Sequence, residues 1–179
     1  MFKVAIALSL ASLCLGVSPG AAQDAIHGPV EAPVSVCFVP AEKCVGHIVD
    51  AINAAETSIH VQAYEFTAKT ILDALIAAHA RGVDVEAIVD YSQHKISGAG
   101  ADGVHAAGIP VWIDHPKDVA HNKLIIIDGK LVIGGSYNYT KRAEDDNVEN
   151  VTFIASPEIA GWYLANWNSR KAVSEPLQD

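Results

Sequence analysis

The chain has 179 residues, of which 50% are apolar and 18% are charged. This length and composition suit one globular domain with a buried core and exclude a disordered chain. The formal net charge of −9 argues against a protein that coats nucleic acid through a broad basic face, although it leaves room for a locally positive cleft.

Residues 1–22 have the pattern of a secretory signal peptide. A positive start precedes an apolar run, Val4 to Val17, and two small residues, Gly20 and Ala22, stand before the expected cleavage site. The apolar run is too short for a membrane span, which needs about 20 such residues. We therefore expect an exported protein, periplasmic or secreted, with a single mature domain over residues 23–179 and no stable membrane span.

Two cysteines, Cys37 and Cys44, remain once the predicted signal peptide is removed. Exported proteins meet an oxidising environment, so two cysteines seven residues apart indicate one disulfide. Zinc binding is the alternative, but neither a CxxC nor an HxxxH spacing supports it.

The rest of the chain alternates between strand and helix patterns. Alternating apolar residues predict strands at PVSVCFVP, SIHVQAYEF, VDVEAIVD and GIPVWID. Apolar residues at helical spacing predict a helix over Val45–Ala55 and a second helix after Thr67, a candidate N-cap, with Gly82 just beyond its end. A short helix is expected around Ala101–Ala107 and a closing helix from Pro157.

Three more strands are predicted in the second half of the chain. Lys123–Ile127 and Leu131–Ile133 are joined by an Asp-Gly pair, which is typical of two-residue hairpins. Val148–Ile154 forms the last strand. Strands that alternate with helices indicate an α/β protein whose sheet is partly parallel, with one hairpin late in the chain.

The segment HNKLIIID begins with two polar side chains, His121 and Lys123, on an otherwise apolar strand. Residues two apart in a strand point to the same side, so these two side chains face one way. Pairing across a two-residue turn places Lys123 opposite Ile133 or Gly134. The hairpin therefore returns the following residues to the level of the histidine.

Ser136 and Asn138 are those following residues, so an imidazole, an ammonium, a hydroxyl and a carboxamide gather at one end of the sheet. Such a cluster suits a phosphate. Lysine and asparagine donate to its oxygens, serine adds a hydrogen bond, and histidine attacks phosphorus or moves a proton. An isolated HxK pair would more often be a chance surface feature, but this pair is not isolated.

The run from His121 to Asn138 has the form HxK(x4)D(x6)GSxN and resembles the motif of the phospholipase D superfamily. AINAAETSIHVQAYEFT, ARGVDVEAIVD and DDNVENVTFI also resemble that superfamily, particularly its small, secreted, single-motif nucleases. The resemblance runs from about Val34 to the last helix. It implies a phospholipase D-like α-β-α sandwich around a mixed, largely parallel sheet, and it implies phosphodiester hydrolysis.

The resemblance also implies a role for each polar residue. His121 would attack phosphorus and form a phosphohistidine, while Lys123 and Asn138 would bind the phosphoryl oxygens. Ser136 would support the histidine or the phosphate by hydrogen bonding. Glu149 resembles the acidic partner that accepts the far ring N–H of the histidine and so fixes its tautomer.

Three further residues have a plain structural alternative to a functional role. Asp128 belongs to the motif, but it stands at the hairpin turn, about 16 Å from Lys123 at roughly 3.3 Å per residue. A turn-forming role is therefore preferred to a catalytic one. His94 and Lys95 lie in a polar loop after a strand's carboxyl end, where α/β proteins often bind ligands. They are candidate substrate contacts, or else part of a solvated loop.

One copy of the motif implies a homodimer. The phosphohistidine route needs a second, protonated histidine, and a twofold axis would bring His121 of each chain to one phosphate. His94 and His115 are the alternative acids. We expect no metal and no other cofactor, because lysine, asparagine and imidazolium supply positive charge and the acidic run Glu144–Asp146 is typical of a solvated turn.

These observations lead to a metal-independent, non-specific endonuclease that cuts DNA, with RNA left open as a substrate. Small size, a single motif and the flanking segments favour it, and basic residues cluster around the motif. The alternative is a phospholipase D that hydrolyses phosphatidyl lipids by the same chemistry. A phosphate-binding module without catalysis is a third interpretation, which the complete motif disfavours.

Overall fold

The computed structural model describes residues 26–94 and 100–178, so the predicted signal peptide and Lys95 lie outside the described residues. The strands are β1 Val34–Val39, β2 Ser58–Ala63, β3 Asp84–Asp90, β4 Val111–Asp114, β5 Lys123–Ile127, β6 Leu131–Gly135, β7 Glu149–Ala155 and β8 Glu175–Pro176. The helices are α1 Cys44–Asn53, α2 Lys69–Ala80, α3 Tyr91–His94, α4 Gly100–Ala106, α5 Lys141–Asp145 and α6 Pro157–Lys171. Over these two described ranges, no helix combines the length and the hydrophobicity needed to cross a membrane.

The strands form one mixed sheet in the order β1-β7-β6-β5-β2-β3-β4-β8, which confirms the α/β class. Among the described strands, parallel pairing joins only β2 to β3 and β3 to β4. The other neighbours pair antiparallel. The expectation of a largely parallel sheet therefore needs correction, because the tight turn between β5 and β6 permits only antiparallel pairing and β7 and β1 continue that pattern outward.

The connection between β5 and β6 is one residue longer than predicted. Its Asp-Gly pair has positive φ at both residues, 53° and 59°, as the expected turn requires. However, Ile127 pairs with Leu131, so Leu124 rather than Lys123 lies opposite Gly134. The third residue, Lys130, is held because its carbonyl accepts a hydrogen bond of 2.8 Å from the backbone at the start of α6.

The start of α2 differs from the prediction. Its N-cap is Ala68, and no side chain caps it, so the assignment of Thr67 as the cap is wrong. The backbone N–H groups of Thr67 and Ala68 both donate to the carbonyl of Tyr139, at 2.8 and 2.7 Å. A backbone contact with the segment after β6 therefore fixes the approach to α2 in place of a capping side chain.

Helices cover both faces of the sheet, as an α-β-α sandwich requires. On one face, α1, α2, α4 and α5 enclose the larger apolar core. On the other face α6 packs through Trp167, whose indole N–H donates to the carbonyl of Val61 at 2.9 Å. Strand β5 supplies both cores, since Ile125 belongs to the first and Leu124 and Ile126 belong to the second. The motif strand is thus buried on both sides.

The predicted disulfide is present and joins Cys37 in β1 to Cys44 at the start of α1, with Cα atoms 5.7 Å apart. Cys37, Glu42 and Cys44 also form a group that could hold a metal ion, but the disulfide takes up both sulfur ligands. Val39, at the end of β1, pairs with Glu149 of β7. The disulfide therefore ties α1 to a strand that borders the motif residues.

Candidate active site

The predicted polar residues lie on strand ends that meet at one end of the sheet. His121 lies two residues before the first residue of β5, which is Lys123. Ser136 and Asn138 follow β6, and Glu149 begins β7. Because β5, β6 and β7 are adjacent in the sheet, the structure brings the predicted imidazole, ammonium, hydroxyl, carboxamide and carboxylate to the same end.

Tyr64, which follows β2, contacts both cationic candidates. Its ring centroid lies 4.7 Å from that of His121, and the ammonium of Lys123 is 5.3 Å from the Tyr64 ring centre. Lys123 Nζ also donates to the backbone carbonyl of His121 at 2.9 Å. The backbone N–H of Tyr64 donates to the carbonyl of Asn122 at 2.9 Å, so the tyrosine is fixed to the segment that carries the motif.

Lys123 is half-buried beside two carboxylates. Burial lowers the pKa of its ammonium, whereas the charges of Glu65 and Glu149 act in the opposite direction. Attraction between a cation and an anion is stronger in such a partly dehydrated position than in bulk water. Lys123 is therefore placed to bind an anionic group at the start of β5.

The side chains of Glu149 and Ser136 are hydrogen-bonded to each other. The Ser136 hydroxyl donates to Glu149 Oε2 at 2.5 Å and accepts from the backbone N–H of Asn150 at 3.1 Å. The side-chain amide of Asn147 donates to the other Glu149 oxygen at 2.8 Å. Among the described residues, Glu149 thus bonds to Ser136 and Asn147, and the predicted hydrogen bond to the ring of His121 does not form within one chain.

Gly135 makes this arrangement sterically possible. Its φ of 145° lies in a region that side chains rarely adopt, and a Cβ there would stand 2.3 Å from the carbonyl oxygen of Asn150. The next residue, Ser136, donates its backbone N–H to the same carbonyl at 3.2 Å. The glycine therefore permits β6 to approach β7 closely. This approach brings the Ser136 side chain within hydrogen-bonding distance of Glu149.

Asn138 is partly buried, and one polar atom of its side chain makes no hydrogen bond to the described residues. Its side-chain oxygen is buried and has no hydrogen-bond partner among residues 26–94 and 100–178. Its backbone is fixed by the N–H of Thr140, which donates to the Asn138 carbonyl at 2.7 Å. A buried unpaired acceptor costs free energy. The fold therefore leaves the Asn138 side-chain oxygen unpaired, and a donor group of a bound molecule or of a second chain would satisfy it.

A buried carboxylate anchors the segment after the motif. Glu144 is 7% exposed, so the prediction of a solvated acidic turn is wrong for this residue. Its Oε2 accepts from the Tyr137 hydroxyl at 3.0 Å and from the backbone N–H of Val45 at 3.2 Å. Burial, together with Glu144, raises the pKa of the Tyr137 hydroxyl. These bonds join the motif segment to the start of α1.

Asp128 lies at the opposite end of the sheet, at the turn between β5 and β6. Its carboxylate accepts from the backbone N–H of Thr57 at 2.7 Å, from the Thr57 hydroxyl at 2.8 Å and from the N–H of Ser58 at 3.0 Å. Burial alone would raise the pKa of Asp128, but hydrogen bonds from Ser58, Thr57 and Glu56 lower it to about 2. Asp128 therefore ties the hairpin to the start of β2.

Asp90 is a residue that sequence reasoning missed. It ends β3, is 1% exposed, and accepts from the backbone N–H of Ala120 at 2.6 Å. Its other oxygen accepts from the N–H of Ser92 at 2.9 Å and from the Ser92 hydroxyl. Because Ala120 immediately precedes His121, this buried carboxylate fixes the backbone that carries the histidine. Its place at the carboxyl end of a strand could have indicated a functional role, because ligands of α/β proteins often bind there. Tyr64, which follows β2, has the same kind of position.

The remaining candidates are less closely placed. His94 is the last residue of α3, and its side chain, like Lys95, lies outside the described part of the chain. His115 follows β4, which is separated from β5 by β2 and β3. Its ring lies 4.2 Å from that of Tyr91, and its Nε2 is 3.5 Å from a carboxylate oxygen of Glu175.

Comparison with known proteins places this chain among related sequences and structures. Residues 48–170, which include every residue from His121 to Glu149, match the family described as cardiolipin synthase, PLD-like domain. The chain is 45% identical over 139 residues to a phospholipase D of Rickettsia bellii, an alignment that covers 78% of this chain and 69% of the relative. It is 32% identical over 115 residues to a mitochondrial cardiolipin hydrolase of Chlamydomonas reinhardtii, covering 64% of this chain and 52% of the relative. Nuc from Salmonella typhimurium, a solved phospholipase D family member, superposes with a TM-score of 0.79 at 34% identity, covering 83% of this chain and 100% of Nuc.

Proposed function

Because the chain belongs to the phospholipase D-like family of phosphodiester hydrolases, we propose that it is an exported, metal-independent endonuclease that cleaves DNA through a phosphohistidine on His121. The observation that carries the proposal is the set of groups at one end of the sheet. An exposed imidazole, a half-buried ammonium and a half-buried carboxamide, from His121, Lys123 and Asn138, stand there together. The likeness to Nuc over the whole of that protein, together with the single motif, supports a nucleic acid as the substrate.

The proposed reaction has two displacements at phosphorus. An unprotonated ring nitrogen of His121 attacks, a P–N bond forms, and the P–O bond to the leaving group breaks. The leaving oxygen takes a proton from a second, protonated histidine. Water then attacks the phosphohistidine and gives its proton to that second histidine, and the P–N bond breaks. Both histidines are thereby restored to their starting protonation states.

Lys123 and Asn138 support both displacements. Their N–H groups donate to the non-bridging oxygens, where negative charge grows in each transition state. Lysine and imidazolium supply the positive charge that a metal ion provides in other phosphodiesterases, and the neutral carboxamide adds N–H donors. The Ser136 hydroxyl donates to Glu149 at 2.5 Å, and it would support the phosphate by turning that single hydrogen toward it when the substrate binds.

We assign the second histidine to a second copy of the chain. His121 is exposed, and a twofold axis beside it would place the same residue of the partner on the opposite side of one phosphate. His115 is a weaker candidate, because its ring is engaged by Tyr91 and Glu175. The proposed enzyme is therefore a homodimer with one composite site.

A phospholipase D that hydrolyses phosphatidyl lipids is the second candidate function. The names of the curated relatives, phospholipase D and cardiolipin hydrolase, favour it. The same groups would perform the same displacements on a lipid diester.

The test is cleavage of supercoiled plasmid and of cardiolipin vesicles by the purified protein in excess EDTA. We expect plasmid nicking by the wild-type protein and no nicking by His121→Ala. His47→Ala, which removes an exposed histidine from α1, is the matched control and should nick normally. Hydrolysis of cardiolipin together with intact plasmid would contradict the nuclease proposal and assign the lipid function instead.

A further inference from the structure

A groove opens on the α6 face of the sheet, beside the start of β5. Its volume is about 530 Å³, within the range of roughly 300–1,000 Å³ that is typical of ligand sites. The segment 27–30, Asn122, Ile154 of β7 and four residues of α6 line it, the last being Ile159, Trp162, Tyr163 and Asn166. None of the motif side chains lines this groove, so it is distinct from the phosphate site proposed above.

Asn122 connects the groove to the proposed phosphate site. It stands between His121 and Lys123, and its Cα is about 3.8 Å from the Cα of each. Successive residues of an extended chain point to opposite sides. Leu124 packs in the α6 core, and Asn122 lines the groove on that same face. A ligand with a phosphate at His121 therefore reaches the groove by passing over the start of β5.

The walls of the groove present flat aromatic surfaces. The indole of Trp162 stacks on the imidazole of His27, with ring centroids 5.1 Å apart and planes inclined by 22°. The next residue, Tyr163, also lines the groove and is 42% exposed. Aromatic side chains of this kind are the surfaces on which unpaired bases of single-stranded nucleic acid stack.

The groove also offers neutral hydrogen-bonding groups. Asn122 and Asn166 both line it, and neither side-chain carboxamide bonds to another residue of the described ranges. A carboxamide presents a donor and an acceptor side by side, which matches the edge of a base. An acyl chain would gain nothing from these two groups, whereas a base would pair with them.

We propose that this groove is a nucleobase subsite for a single-stranded segment of the substrate. One base stacks on the face of the Trp162 indole opposite His27, bordered by Tyr163 and with its edge at Asn122 and Asn166, while a neighbouring phosphate lies at His121. This inference rests on the proposed nuclease function and names the part of the nucleic acid that the protein holds. It also explains how a chain with a net charge of −9 binds nucleic acid, because stacking adds affinity that does not depend on a basic face.

The test compares two fluorescently labelled tetranucleotides with equal numbers of phosphates, one carrying thymine bases and one abasic. Binding is measured by anisotropy on the His121→Ala protein, which prevents cleavage. We expect the base-bearing probe to bind roughly tenfold more tightly than the abasic probe. Trp162→Ala, added to that background, should remove this preference and leave the affinity for the abasic probe unchanged.

Two further variants make the result specific. Phe38→Ala removes an aromatic residue that is 55% exposed on β1 and does not line the groove, so it should keep the full preference. Asn166→Ala changes an exposed position of α6 and should weaken only the base-bearing probe, about threefold. It serves as the second test of the groove if Trp162→Ala fails to fold.

The outcomes separate this inference from the proposed function. Equal binding of both probes by a protein that nicks plasmid would overturn the subsite and leave the nuclease intact. Intact plasmid, with cardiolipin hydrolysis that falls in Trp162→Ala, would overturn both and assign the groove to an acyl chain.

Discussion

Asp90 and Asp128 are both aspartates that accept backbone hydrogen bonds, yet they lie at opposite ends of the sheet. Asp90 holds the N–H of Ala120, next to His121. Asp128 holds the N–H groups at the start of β2. The same chemistry therefore positions the proposed nucleophile in one case and stabilises a hairpin in the other.

Replacing Asp90 by asparagine should lower kcat roughly 10- to 100-fold and leave KM nearly unchanged. The Ala120 N–H would lose a charged acceptor, and a shift of the adjacent His121 by about 1 Å is enough for such a loss. Steady-state kinetics of plasmid nicking measures it. Asp73→Asn, which breaks an exposed ion pair with Lys69, is the control and should change neither constant. An Asp90→Asn protein that melts earlier but keeps its kcat would reduce Asp90 to a purely structural role.

Replacing Asp128 by asparagine should lower the free energy of unfolding by about 1 kcal/mol, once solvent screening of this partly exposed carboxylate is allowed for. The folded pKa, about 2, is below the ordinary value of 3.8. The stabilisation is therefore present above that ordinary value and is lost as the pH falls toward the folded pKa. Urea unfolding at neutral pH and near the folded pKa should show a difference between the two proteins that closes in acid. A large loss of neutral-pH activity without loss of stability would instead give Asp128 a catalytic role.

At the scale of elements, the end of β6 is where strand geometry determines side-chain placement. Gly135 combines a positive φ with a close approach to β7, whereas a Cβ on Gly134 would meet nothing nearer than the Lys123 carbonyl oxygen at 3.5 Å. The backbone conformation therefore requires a glycine at position 135 but not at position 134, so substitutions at these two neighbouring positions can be compared directly.

Gly135→Ala should destabilise the protein by roughly 2 kcal/mol and abolish most of the activity, because the added Cβ forces β6 away from Asn150 and displaces Ser136. Gly134→Ala should change both quantities little. Thermal melting and nicking assays on the two variants test this. Equal behaviour of the two proteins would show that the conformation of Gly135 is not needed.

Local patterns predicted those elements whose ends are set by their own residues. The strand VDVEAIVD ends at Asp90, as its alternation indicates. Errors arose where a distant segment decides the outcome. Tyr139 supplies the carbonyl that fixes the start of α2 in place of the Thr67 side chain. A bond from the start of α6 holds Lys130, which shifts the hairpin by one residue. The spacing of residues in the sequence does not predict these long-range contacts.

The residues of the site also fall into two groups, those that a local pattern predicts and those whose place depends on distant segments. The motif fixes the distance along the chain between His121 and Asn138, so their meeting at one sheet end could be predicted. Tyr64 and Asp90 come from β2 and β3, and their nearness to His121 depends on β5 inserting beside β2. That strand order is a property of the whole sheet, and no short segment specifies it.

At the scale of the whole molecule, the account requires two chains. We expect the protein to sediment as a dimer at assay concentrations. In dimers assembled from equal amounts of wild-type and His121→Ala chains, about one quarter of the pairs contain two intact histidines. Activity should therefore fall to that fraction of the wild-type value. A fall to one half would indicate independent sites, and an active monomer would contradict the composite site.

The most direct test of the central claim, covalent catalysis by His121, is the stereochemistry at phosphorus. A phosphorothioate dinucleotide of one configuration is cleaved in water enriched in ¹⁸O, and the configuration of the product is determined. Each in-line displacement inverts phosphorus, so a route through a phosphohistidine predicts net retention. Net inversion would mean that water attacks the phosphodiester directly, and it would contradict the account.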